Sequence, residues 1–133
     1  MAKEMKISFP GGLRVVAHYK GLVIETDQPV YAGGEGRAPA PFDLFLASIG
    51  TCAAYYVLAF CQQRNIPLDN IYVTQKTTRN PAAKRIEKII IEVHLPPDFP
   101  KKYEAAVLKA IDQCSVKKHI IDNPEFELKA VSD

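Results

Sequence analysis

The sequence predicts a single α+β domain, residues 1–133, with its elements in the order βββ-α-ββ-α-β. Three observations predict it. Short β-rich runs gather ahead of residue 27 and again beyond residue 70. Between them, Pro41 to about Gln63 is apolar on most faces and carries no further proline, the pattern of one long helix buried all round. The strands come in groups and do not alternate one by one with helices, which excludes a doubly wound sheet. At 133 residues the chain has room for one core. Folding would hide roughly two thirds of its unfolded surface.

The elements follow in order. Lys6–Phe9, Leu13–Tyr19 and Leu22–Thr26 are separated by Pro10-Gly11-Gly12 and Lys20-Gly21, so they read as a three-stranded meander. A linker from Tyr31 to Pro41 holds Gly33, Gly34, Gly36, Pro39 and Pro41 and divides strands from helix. Asn65-Ile66-Pro67 ends the long helix. Ile71–Thr78 and Arg85–Leu95 then flank a turn at Asn80-Pro81 and form a second hairpin, stopped by Pro96-Pro97. Asp98 and Pro100 are start signals for a helix running to about Cys114, with Tyr103, Ala106, Val107, Ala110 and Ile111 at helical spacing. A short turn is expected over Val116–Ile121. A last strand is expected over Glu125–Val131, with Phe126, Leu128 and Ala130 on one side.

Composition narrows the function. With 47% hydrophobic residues and no biased tract, the chain is neither disordered nor collagen-like. Seventeen Lys and Arg against 15 Asp and Glu give a net charge of +2, evenly divided about Pro67, so no basic arm points to nucleic acid. The densest basic stretch, Lys76 to Lys88, is diluted by Glu87 and reads as a solvated hairpin. Met1–Pro10 lacks the apolar stretch of a secretory signal, and a cytoplasmic protein is expected. Leu44–Cys61 is free of charge, but Ser48, Gly50, Thr51, Tyr55 and Tyr56 occupy its middle, so a core helix is expected in place of a membrane span.

Chemistry points to the cysteines. Cys52, Cys61 and Cys114 lack metal-ligand spacing, and with His18, His94 and His119 scattered on different elements no metal site is expected. Cys52 and Cys61 lie half a helical turn apart and cannot pair. Cys52 shares its face with Ser48, Ile49, Tyr55 and Tyr56, which sets hydroxyls around one thiol. Cys114, at a helix end, meets Cys52 if the two helices pack, and a thiol that forms a sulfenic acid needs such a resolving thiol.

The run from Gly33-Gly34-Glu35-Gly36 through Pro39-Ala40-Pro41-Phe42-Asp43-Leu44-Phe45-Leu46-Ala47-Ser48-Ile49-Gly50-Thr51-Cys52 resembles the signature of the OsmC/Ohr family of organic hydroperoxide reductases. Cys114-Ser115-Val116 looks like the family's resolving-cysteine motif, in which the middle residue is usually proline. The resemblance implies an intertwined homodimer with two sites at its interface. Each would reduce an organic or fatty-acid hydroperoxide through a peroxidatic Cys52 and a resolving Cys114, without heme, flavin or metal. A dithiol, such as a lipoylated protein, would restore the pair.

The family's pattern also implies an acid after the proline and an arginine that binds the thiolate. Here Phe42 follows Pro41 and the acid stands at Asp43, which fits both a catalytic role and a helix-start role favoured by the dipole. Arg37, near in sequence, is the expected arginine, with Arg14 as the alternative. Phe42, Phe45, Tyr55 and Tyr56 are the expected lining of an apolar substrate approach. A second reading is a divergent, non-catalytic relative that binds a hydrophobic small molecule or a partner in the dimer cleft.

Overall fold

A computed structural model describes residues 3–132, in two compact units, one ending at Ala47 and one beginning at Ser48. In the first, β1 (Lys6–Gly11), β2 (Arg14–Tyr19) and β3 (Leu22–Thr26) form an antiparallel meander in that spatial order, as the turn residues predict. Tyr19 pairs with Leu22 across the two-residue Lys20-Gly21 turn, which fixes the register of β2 on β3. Val16 is the buried apolar side chain of this sheet, while Phe9 and Leu22 stand exposed.

The linker after β3 is built around Asp27, a buried carboxylate 1% exposed. Its Oδ1 accepts from the Gln28 amide at 2.7 Å and its Oδ2 from the Arg37 amide at 3.1 Å, closing the ten-residue loop. These amides, with that of Glu35 and the charge of Arg14, outweigh desolvation and hold the Asp27 carboxyl below the usual carboxylate range. Gly34 is required here because a Cβ would collide with the Gln28 carbonyl oxygen.

The long helix α1 (Pro41–Gln63) begins in the first unit and runs into the second. Ile49, Ala53, Val57, Phe60 and Cys61 recur every three to four residues and form its buried stripe. Within the single chain, burial reaches this one face, and Phe42, Phe45 and Tyr55 are exposed. The helix is long and apolar enough to cross a membrane, yet its stripe packs into a protein core. Val57, Phe60, Cys61, Phe99 and Val107 form that core, with Ile66, Val73, Val93, Tyr103 and Ile111 against it.

In the second unit β4 (Tyr72–Asn80) and β5 (Arg85–His94) make the expected hairpin. Asn80 shapes its turn, its Oδ1 accepting from the Ala82 amide at 3.1 Å. Three expectations are corrected downstream. The helix expected from Pro100 to about Cys114 is a 3-10 turn, Lys101–Tyr103, followed by α2 (Glu104–Ile111), which stops short of Cys114. The turn expected over Val116–Ile121 is a helix, α3 (Ser115–Ile121), and Cys114 is its N-cap, the thiol sulfur accepting from the Lys117 amide at 3.5 Å. The strand expected over Glu125–Val131 has no regular structure in the single chain. Alternation supplies a face, but a strand also needs a hydrogen-bonded neighbour, and among the described residues this segment has none.

Candidate active site

Two helices bring the first and third cysteines together. Cys52 projects from the middle of α1, half-buried, and faces the start of α3. Its Sγ lies 4.0 Å from the Ser115 hydroxyl. Cys114, 2% exposed, sits beside it as the cap of α3. At Gly50 a Cβ would come 2.6 Å from Gln75 Oε1, so the Gln75 side chain lies against α1 at the turn preceding the thiol.

The electrostatics follow from this placement. Desolvation raises the Cys52 thiol, but hydrogen bonds from the Val116 amide, the Cys114 thiol, and the Ser115 hydroxyl and amide outweigh it and hold Cys52 below its ordinary value. Cys114 moves the opposite way, pushed up first by burial and then by donating to Cys52. The two thiols are therefore shifted in opposite directions, and Cys52 is the more readily ionised of the pair. Cys61 is completely buried in the core, and its thiol is raised by desolvation, against a smaller opposing effect of Arg64.

Behind Cys114 opens an apolar cavity of about 390 Å³, lined by six isoleucines, Ala53, Cys114 and Lys117. The arrangement can stabilise a sulfur anion, hold a second thiol against it, and seat an apolar group next to Cys114. Among the described residues no three His, Cys, Asp or Glu side chains converge as metal ligands would.

The model of OsmC-like proteins matches residues 34–129, which spans the loop, α1 and both cysteines of this pair. The chain belongs to the OsmC-like family. Its fold is shared with a Psychrobacter arcticus protein described as osmotic stress induced and of a detoxification response, at 21% identity and TM-score 0.71 over 89% of this chain and 88% of that one. A hypothetical protein of Aquifex aeolicus follows at 20% identity and TM-score 0.69, covering 92% and 89%. An organic hydroperoxide resistance protein OsmC of Legionella pneumophila aligns at 21% identity and TM-score 0.58, covering 92% and 93%. At these identities the likeness is one of fold. No curated protein matches the sequence.

The other expected site residues of this OsmC-like chain take varied positions. Asp43 is exposed at the third position of α1, and its Oδ2 accepts from the Ala40 amide at 3.2 Å, the acid half of a helix-start box. Arg37 pairs through Nη2 with Glu35 Oε2 at 2.7 Å, and Arg14 acts on Asp27. Phe42 and Phe45 stack on each other at 5.5 Å, and Tyr55 meets Tyr56 edge-on at 5.3 Å.

What the sequence reading missed is the start of α3. The sequence suggests a cationic side chain for Cys52 and marks Ser115 only as a missing proline, whereas the donors around the thiol are the Val116 amide, the Cys114 thiol, and the Ser115 hydroxyl and amide. A cysteine directly ahead of a helix start was the available signal, hidden because the helix itself went unseen.

Proposed function

We propose that this OsmC-like protein is a cysteine-based hydroperoxide reductase acting on organic hydroperoxides. The observation that carries the reading is the split pair: Cys52 held toward thiolate by the start of α3, with the Cys114 thiol donating to it. The Cys52 thiolate attacks the terminal peroxide oxygen. The O–O bond breaks, the alkoxide takes a proton and leaves as alcohol, and Cys52 becomes a sulfenic acid. Cys114 then attacks that sulfur, water departs, and a disulfide closes before further oxidation. A dithiol reductant returns both thiols by exchange, a step suited to the reducing cytoplasm.

The isoleucine-lined cavity supports an apolar peroxide over hydrogen peroxide, because its wall offers contact area and few polar groups. Exposed Phe42, Phe45 and Tyr55 on α1 support a homodimer, in which a second copy covers the faces this chain leaves open. The test is consumption of cumene hydroperoxide with a dithiol, comparing wild type with Cys52→Ser and Cys114→Ser. Cys52→Ser should abolish turnover. Cys114→Ser should allow one turnover and then accumulate an over-oxidised Cys52. Undiminished turnover in Cys52→Ser overturns the role of Cys52, and an inactive wild type overturns the proposal in favour of a non-catalytic relative that binds an apolar ligand.

A further inference from the structure

A peroxide and the alcohol it becomes carry the same organic group, so a cavity that takes up the one by apolar contact holds the other about as firmly. Turnover then needs a change in the cavity once the chemistry is over. The isoleucine-lined cavity is placed to undergo one, because Cys114 is part of its lining. Its inner wall includes Ile49 and Ala53 of α1, both buried. Its outer wall is α3, which supplies Lys117, Ile120 and Ile121, the last two 45% and 72% exposed.

Two contacts hold that outer wall at its start. The Cys114 sulfur accepts from the Lys117 amide, and Lys117 Nζ pairs with Asp112 Oδ1 at 2.7 Å across the join between α2 and α3. Both partners of the ion pair are about half exposed or more, so it restrains α3 weakly. The sulfur is the contact that oxidation can alter. The Cys114 thiol donates to Cys52, and a disulfide would bring the two sulfurs to about 2.05 Å. That is shorter than any hydrogen bond between thiols, so closing it would draw the Cys114 sulfur toward α1 and away from the wall it lines.

We propose that closure of the Cys52–Cys114 bond is the step that empties the cavity: the dithiol form holds the organic group, and the disulfide form releases the alcohol. The inference rests on the peroxidase reading and adds to it a regulation of the same site. The sulfenic acid at Cys52 forms while the alcohol still fills the cavity. Attack by Cys114 expels water and alters the wall, and the dithiol reductant, by restoring both thiols, restores the cavity for the next peroxide. The linkage is reciprocal, so a ligand in the cavity disfavours the disulfide by the factor by which the disulfide weakens the ligand.

Fluorescence titration with N-phenyl-1-naphthylamine, a neutral dye whose emission rises in apolar surroundings, tests it. Wild type is compared after reduction with dithiothreitol and after oxidation with diamide, which takes two electrons and two protons from a pair of thiols, and peptide masses identify the Cys52–Cys114 disulfide. The reduced protein should bind the dye about tenfold more tightly than the oxidised one, and 1-octanol should displace it. Cys52→Ser, which cannot close the bond, should bind equally before and after diamide. Ile120→Glu, at a half-exposed position, should fold and bind the dye more weakly when reduced. Equal affinity in the two wild-type forms, a diamide effect that persists in Cys52→Ser, undiminished binding in Ile120→Glu, or no Cys52–Cys114 disulfide after diamide each overturns the proposal. Because diamide oxidises the pair without a peroxide, the result is read apart from cumene hydroperoxide turnover, and a failure of either reading is seen by itself.

Discussion

At the scale of single residues, three cysteines with identical chemistry are given three different fates by their neighbours. Cys52 is lowered by the donors of α3 after they overcome its desolvation, Cys114 is raised by burial and by donating to Cys52, and Cys61 is raised by burial. Iodoacetamide should therefore modify Cys52 first, with a rate that reaches half its maximum below the ordinary thiol value of about 8.5. Peptide mapping of the alkylated protein across pH checks both site and midpoint. Asp27 makes a separate prediction. Its carboxyl is lowered in the folded state, so its contribution to stability is complete above the ordinary value of about 4 and is lost as pH falls through the lowered one. Asp27→Asn should be less stable than wild type at pH 7, and the gap should shrink in acid as wild type loses the same charge. Urea midpoints at the two pH values read this directly.

At the scale of elements, what was legible depended on where the signal was stored. The ends of α1 were readable because Pro41 and Asp43 mark its start and Asn65-Ile66-Pro67 its stop, and the meander because its turns are written in glycine. The helix α3 was not. Its cap is a thiol in place of Ser, Thr, Asp or Asn, and Val116, Ile120 and Ile121 are β-branched, so neither its start nor its propensity looked helical. The sequence points to a cationic side chain beside Cys52, whereas the amides of Ser115 and Val116 that donate to it leave no mark in a sequence. Ser115→Pro separates these contributions. Proline is tolerated at the first position of a helix, so α3 should persist, but the Ser115 hydroxyl and amide are both removed. The Cys52 thiol should rise toward its ordinary value while the Val116 amide keeps it from arriving there, and the alkylation midpoint should move up accordingly.

At the scale of the whole molecule, the single chain leaves large apolar side chains in the open, and Phe9, Tyr31, Phe126 and Leu128 are each more than four-fifths exposed. The sequence reading asked for a helix covered on every side, and one chain covers one stripe of it. Sedimentation equilibrium should accordingly give twice the chain mass at micromolar concentration, and a stable monomer there would leave that surface unexplained. The unpaired segment after Asn123, alternating and exposed, belongs to the same account: its partner strand is not supplied within the described chain.

Cys114 has two roles under the proposed reading. As a thiol it caps the start of α3 by accepting from the Lys117 amide; in the proposed disulfide its sulfur would bond to Cys52, which should weaken that cap. The Lys117 amide should then exchange with deuterium faster in the oxidised protein than in the reduced one. Under the proposed reading, a reductant arriving at the disulfide would meet a loosened α3, a different surface from that of the reduced protein.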